Sequence, residues 1–160
     1  MVQTENNLPD SSRVWVYQSN RAFTQEELVE LKIELDQFEA SWEAHGTKLN
    51  SAIEIYYNQF IAIFVDESGQ EATGCSIDKS VGLVKTIESK YGISLLDRMN
   101  LTYKKGDVVE NIRMADFQTL AQKGEIQNTV TVFNNLVINK AEFVSNWEVE
   151  AKDSWHANLF

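Results

Sequence analysis

Hydrophobic and polar positions along the chain repeat in two periods, and each period predicts its own elements. The β-branched and aromatic run Arg13-Val-Trp-Val-Tyr17 predicts a first strand, closed by the polar turn Gln18-Ser-Asn-Arg21. Thr24-Gln-Glu-Glu27 has capping-box spacing: the Thr24 hydroxyl accepts from the Glu27 amide while the Glu27 carboxylate reaches back. Leu28, Leu31, Leu35, Phe38 and Trp42 then recur at steps of 3, 4, 3 and 4, the apolar stripe of a helix. The rest of that helix carries seven acidic side chains against Lys32, a solvated face, and Gly46 suits the left-handed position just past its end.

Ile53, Ile55 and Tyr57 alternate with Ala52, Glu54 and Tyr56, as in a half-buried strand. Asn58-Gln59 separates them from Phe60-Ile-Ala-Ile-Phe-Val65, which is apolar on both faces and so reads as the covered central strand of a hairpin. A polar loop from Asp66 to Cys75 leads to a helix from about Asp78 to Tyr91, with Val81, Val84, Ile87 and Tyr91 on one face and Gly92 as its stop. Leu101-Thr-Tyr103 predicts a fourth strand. The order β-α-β-β-α-β is that of a ferredoxin-like antiparallel sheet with two helices on one face. The expected fold is therefore α+β. Residues 1–12 are read as a disordered or frayed tail, and residues 13–160 as one domain with a ferredoxin-like core (13–104) and a C-terminal extension (105–160). In that extension Met114, Phe117, Leu120 and Ala121 predict a short helix ended by Gly124, and Thr129–Val137 a strand. Asn139 with Glu142 predicts a cap for another short helix through Trp147, and the aromatic tail Asp153–Phe160 is expected to pack back on the body.

Composition narrows the function classes. With 43% hydrophobic and 24% charged residues, 7 Gly and 1 Pro in 160 residues, the chain is neither low-complexity nor disordered. A net charge of −10 argues against a nucleic-acid binder, which needs the opposite sign. Cys75 is the lone cysteine, so neither an internal disulfide nor a cysteine-based zinc site can form within the chain. The apolar run Phe60–Val65 is six residues, against roughly 20 for a membrane span. The opening residues have no apolar core or cationic lead, so no secretory signal is read there and a cytoplasmic location is expected. Asp66, Glu67 and Glu71 lack the spacing of a calcium loop, and His156 has no metal partner at a recognised spacing, so neither metal nor cofactor is expected.

Trp15-Val-Tyr-Gln-Ser-Asn-Arg21, Trp42-Glu-Ala-His-Gly46 and Gly74-Cys-Ser-Ile-Asp-Lys-Ser-Val81 are segments through which the chain resembles a family of small bacterial proteins of about this length, often labelled "ABC transporter ATPase". The resemblance covers nearly the whole chain and implies no catalytic residues. The label itself fails on the residues. Phe60–Glu67 has the apolar strand and Asp-Glu of a Walker B segment, and Gly69-Gln-Glu-Ala-Thr-Gly74 has the glycine spacing of a P-loop. Cys75-Ser76 stands where the phosphate-binding Lys and Ser/Thr are required, and the two segments come in the wrong order. ATP hydrolysis is not expected.

Strand connectivity places two clusters of candidate residues. At one sheet edge the end of the first helix, with His45, meets the opening of the second, with Cys75. A cysteine at a helix start gains thiolate character and a nearby imidazole can act as its base, the pattern of a thiol-dependent hydrolase or transferase. The ordinary alternative is a small buried cysteine and a capping histidine. The same loop reads differently without covalent chemistry: Gly74, Ser76, Lys79 and Ser80 would bind a small anion at the helix start, with Asp78 competing as cap. Lys79 to Arg113 holds seven of the 14 basic residues and four acidic ones, a cationic window that suits such a ligand. At the opposite edge Gln18, Asn20, Arg21 and Arg98 suit a carboxylate or phosphate, or else fasten the strand end by structural hydrogen bonds. The overall expectation is a soluble, non-catalytic module that binds a small anionic ligand or a protein partner. A thiol enzyme using Cys75 and His45 is the alternative.

Overall fold

The computed structural model describes residues 2–160. Strand β1 (Arg13–Gln18) leads to helix α1 (Gln25–Ser41), the miniature hairpin β2 (Glu43–Ala44) and β3 (Thr47–Lys48), and the long hairpin β4 (Asn50–Tyr56) and β5 (Phe60–Asp66). Helix α2 (Gly74–Tyr91) follows, then the hairpin β6 (Asn100–Lys105) and β7 (Val108–Arg113) and helix α3 (Met114–Gln122). Strand β8 (Thr131–Phe133), helix α4 (Lys140–Asn146) and β9 (Glu148–Glu150) come next, and two 3-10 turns, Ala151–Asp153 and Trp155–Leu159, close the chain. The fold is α+β with antiparallel sheets. No helix among the described residues is long and apolar enough to cross a membrane.

The unbroken apolar run makes β5 the centre of the first sheet, ordered β1-β5-β4, with both neighbours antiparallel to it. Side chains of a strand alternate between faces. Ile61, Ile63 and Val65 therefore pack with Leu31 and Leu35 of α1 and Val84 and Ile87 of α2. Phe60, Ala62 and Phe64 pack on the other face with Phe133, Phe143 and Trp147. Each large side chain so buried contributes on the order of 1.5–3 kcal/mol, which is why this strand anchors the molecule. Thr24 caps α1 through the expected box with Glu27.

The expected fourth strand takes a different place. β6 pairs with β7 and, through Tyr103 and Val132, with β8, forming a second sheet in the order β7-β6-β8-β9. The tight turn at Gly106, with φ +67°, gives β6 a neighbour in sequence as its partner, and a short loop costs less entropy to close than a distant pairing. Leu101 of β6 then packs with Phe117 and Ala121 of α3 and with Val132 in a core of its own. The vacant edge of β1 is lined instead by residues 138–140: the Val14 amide donates to the Ile138 carbonyl at 3.1 Å and the Lys140 amide to the Ser12 carbonyl at 2.8 Å.

Three local expectations are also corrected. The α2 helix begins at Gly74, four residues before Asp78, because Thr73 and Ser76 form a capping box with Ser76 as the reciprocating residue. Helix α1 ends at Ser41, and Gly46 (φ +75°) with His45 (φ +53°) makes the two-residue turn between β2 and β3 rather than a helix cap. Residues 2–12 are docked, not frayed. The buried Lys140 ammonium needs acceptors, and the carbonyls of Asn6 (3.0 Å) and Leu8 (2.7 Å) supply them, while the Val2 amide donates to the Val144 carbonyl at 3.0 Å. The C-terminal tail packs back as expected, with His156 and Leu159 buried and Phe160 against Phe117 at 5.8 Å between ring centroids.

Candidate functional site

The two sheet edges form largely as connectivity predicts, yet only one becomes a concave site. At the first edge Trp42 Nε1 donates to the Ser76 carbonyl at 2.8 Å, so the segment following α1 does meet the opening of α2. Cys75 is exposed in the first turn of α2, His45 is exposed in the β2–β3 turn, and among the described residues no hydrogen bond joins them. Ser76 and Ser80 are buried: Ser76 Oγ donates to the Thr73 carbonyl at 2.9 Å and accepts from the Thr73 amide at 2.7 Å, and Ser80 Oγ donates to the Ile77 carbonyl at 2.6 Å. Gly74 and Lys79 are exposed, Lys79 in the second turn, and Thr73 Oγ1 already caps the Ser76 amide at 3.2 Å. An anion at this helix start would have to displace that cap. The acids of the Walker-like strand are turn caps as well: Asp66 accepts from the Ser68 amide at 3.0 Å and Glu67 from the Ala72 amide at 2.9 Å.

At the second edge Asn20 and Arg21 hold loops together. Asn20 exchanges hydrogen bonds with the Ser94 backbone, its amide donating at 3.2 Å and its Oδ1 accepting at 3.0 Å. Arg21 grips the Glu27 carboxylate with both Nη atoms and donates to the Tyr91 carbonyl at 2.8 Å. Gln18 is buried and joins the two sheets. Its Nε2 donates to the Asn100 carbonyl, and its Oε1 accepts from Thr102 Oγ1 at 2.9 Å and Asn135 Nδ2 at 2.8 Å. Gln59, Asn100 and Asn111 extend this network, all three donating to the Ser19 carbonyl.

Because β6 swings away into the second sheet, a cleft of about 440 Å3 opens between that sheet and β1. Tyr17 and Gln18 of β1 and Leu101 and Thr102 of β6 line its walls, with Leu95, Met114 and Phe133 beside them. Leu96, Arg98 and the 66% exposed Leu136 stand at its mouth. Asp97 also lines it, but its carboxylate is taken by the Met99 amide at 2.9 Å and Arg113 Nη1 at 2.5 Å, and the Arg113 guanidinium holds its pKa below the usual range. Among the described residues Arg98 has no carboxylate partner, so a single unneutralised cation sits at the mouth between Leu96, Leu136 and the paired Asp97.

The remaining wall is the C-terminal turn, with Trp155 and His156. His156 is 1% exposed, stacked on Trp155 at 3.9 Å and edge-on to Phe117 at 6.1 Å. Its Nδ1 lies 2.8 Å from Ser154 Oγ, and among the described residues Nε2 has no hydrogen-bond partner. Burial pushes the imidazole pKa down to about 4, so the ring is neutral at pH 7 and offers a hydrogen bond without a charge. A second groove of about 370 Å3 is lined by Glu5, Glu54 and Glu148, and the carboxylates of Glu54 and Glu148 are engaged while that of Glu5 is exposed. The Glu5 amide and Asn6 Nδ2 donate to Glu54, and Tyr57 Oη (2.5 Å) and Lys104 Nζ (2.7 Å) to Glu148. Among the described residues no cluster of three His, Cys, Asp or Glu side chains is placed to hold a metal ion.

Of the eight binding candidates read from sequence, Gln18 and Arg98 alone line the cleft. The residues missed were Leu95, Leu101, Thr102, Asn135, Trp155 and His156. The one signal that pointed to them was the aromatic density of the last eight residues, which marked a tail with something to pack against. No family model, no curated protein and no solved structure matches the chain.

Proposed function

We propose that the chain is a non-catalytic binding module that takes a small anionic ligand in the cleft between its two sheets. In this reading the core is a ferredoxin-like β-α-β-β-α unit whose closing strand serves the second sheet, and the space that strand leaves is the binding site. Its setting is the cytoplasm of a bacterium, as for the small proteins the chain resembles, and its work does not involve ATP hydrolysis.

The observation that carries the reading is Arg98, a guanidinium with no carboxylate partner among the described residues, at the mouth of a cleft that the buried, neutral imidazole of His156 also lines. Binding sites of this size are mostly apolar with a few convergent polar groups, which describes the lining here. Arg98 forks onto a carboxylate or phosphate, and the ligand's charge replaces the counter-ion the protein does not provide. The test is a thermal-shift screen of the folded protein against carboxylates, inorganic phosphate and nucleotides. A ligand at 100 times its Kd raises stability by about 2.7 kcal/mol, a shift of several degrees for a chain of this size. Stabilisation by at least one anion, abolished in Arg98→Gln, is expected. No stabilisation of a monodisperse sample by any of them overturns the reading and leaves an interaction role.

A further inference from the structure

We infer that the ligand of this cleft is an amphipathic monocarboxylate, a hydroxy- or oxo-acid whose carboxylate meets Arg98, whose apolar or aromatic body fills the cleft, and whose neutral oxygen meets His156. This inference rests on the anion-binding reading and assigns its ligand class.

The charge count at the mouth selects a monoanion. Asp97 and Arg113 neutralise each other, leaving Arg98 as the one cation on the lining without a counter-charge. A phosphate dianion would leave about one negative charge unmatched beside the Asp97 carboxylate, in a chain that already carries −10. A carboxylate is matched by one guanidinium in a two-pronged geometry.

The lining selects the body of the ligand. Leu95, Leu101, Met114, Phe133, Leu136 and Trp155 give the cleft its apolar surface. A small hydrophilic acid would desolvate that surface without covering it. A hydrocarbon chain or an aromatic ring gains roughly 25 cal/mol for each Å2 of apolar surface removed from water.

The buried imidazole selects the third feature. Gln18 Oε1 and Nε2 are already bonded, as is Thr102 Oγ1, so those groups do not ask for a ligand atom. His156 does: one ring nitrogen is fixed by Ser154 and the other has no partner among the described residues, in a side chain 1% exposed. Among the described residues the fully buried side-chain atoms without a hydrogen bond are Ser12 Oγ, Ser51 Oγ and Tyr56 Oη, so Nε2 is not sealed from solvent, and a ligand hydroxyl or carbonyl on that wall takes the place of water there. The ring is neutral at pH 7, so it does not add to the charge that Arg98 sets.

The experiment is calorimetric titration of the intact chain at pH 7 with 3-(4-hydroxyphenyl)propionate, 3-phenylpropionate, the methyl ester of the first, phenyl phosphate and inorganic phosphate, and with 10-hydroxydecanoate and decanoate as the aliphatic pair. Expected are binding of the hydroxy-acids, at least tenfold weaker binding of the ester, and at least fivefold weaker binding of the acids lacking the hydroxyl. Arg98→Gln should weaken the acid at least tenfold and leave the ester unchanged. His156→Phe should erase the preference for the hydroxylated acid, and if that variant does not fold, the wild-type comparison of each acid pair decides the point. Equal affinity for the acid and its ester, or for hydroxylated and plain acids, overturns the assignment. Phosphates that bind at least as tightly as the acids and lose binding in Arg98→Gln keep the anion site and overturn the ligand class. No binding by any probe overturns both.

Discussion

Arg21 and Glu27 face each other as a two-pronged ion pair, Nη1 to Oε1 at 2.7 Å and Nη2 to Oε2 at 2.9 Å. The same carboxylate accepts from the Thr24 amide at 2.9 Å, and the same guanidinium donates to the Tyr91 carbonyl, so one pair ties the start of α1 to the end of α2. The Arg21 hydrogen bond, with the Thr24 amide second, holds the Glu27 pKa down at about 2 against an ordinary 4.5. A depressed carboxylate stabilises the fold above its unfolded value and loses that contribution as pH falls through its folded value. Arg21→Met is therefore expected to destabilise the protein at pH 7 and to flatten the decline between about pH 4.5 and 2. Urea denaturation at half-unit pH steps measures this, and an unchanged acid slope in the variant would show that the pair contributes nothing.

Gln18 bridges the two sheets through three hydrogen bonds. Its loss strands the Asn100 carbonyl, the Thr102 hydroxyl and the Asn135 amide in a buried or half-buried setting. Each stranded group costs on the order of 1–3 kcal/mol, offset in part where water or relaxation reaches it. Gln18→Leu, similar in volume, is expected to lower unfolding free energy by about 2–4 kcal/mol, read from urea midpoints at constant m-value. A loss below about 0.5 kcal/mol would mean that the sheets are held by apolar packing alone.

What could be read from the sequence tracks the distance over which each feature is decided. The α1 stripe and its Thr24–Glu27 box involve residues three or four apart, and both form as read. The doubly apolar β5 announces that both its faces are covered, and they are. The Thr73–Ser76 box is equally local but lacks the usual sequence signature, because Ser, rather than Glu or Gln, holds the reciprocal position. The placement of β6 was not legible. Leu101-Thr-Tyr103 has the same alternation in either sheet, and the choice depends on the β7 hairpin and on residues 138–140 taking the edge of β1. The cleft follows from that choice. Its walls come from β1, β6, the loop after α2, β8 and the last residues of the chain, segments no spacing rule connects. Gln18 and Arg98 line it together because the edge they share follows from strand direction, whereas His156 lies more than 50 residues further on.

Cys75 stands exposed in the first turn of α2, outside every hydrophobic cluster, so its thiol contributes no packing. Surface substitutions away from caps and ion pairs lie within about 0.5 kcal/mol of neutral, and Cys75→Ser should fall in that range. Iodoacetamide should modify Cys75 in the folded protein without denaturant, because the residue is exposed. Labelling at pH 6 far faster than that of glutathione would instead mark an activated nucleophile and revive the thiol-enzyme reading.

His156 makes the sharpest prediction for pH. Burial against Trp155 and Phe117 lowers its pKa to about 4 from an ordinary 6.5, so between those values the unfolded chain binds a proton that the folded one refuses. Stability contributed by the neutral ring is complete above about pH 6.5 and is lost as pH falls toward 4. A shift of this size corresponds to at most about 3–4 kcal/mol across the window. His156→Phe retains a flat ring between the same neighbours and removes the titration. At pH 7.5 it should lose roughly 1 kcal/mol, for the Ser154 hydrogen bond. The gap between wild type and variant should narrow as pH falls and reverse before pH 4.5, because wild type must expel or protonate its imidazole and the variant has none. Carboxylates such as Glu27 titrate alike in both proteins and cancel in the difference. A constant gap from pH 7.5 to 4.5 would mean that the imidazole is hydrated in the folded chain, and the cleft would then lack the buried, neutral imidazole the ligand assignment requires.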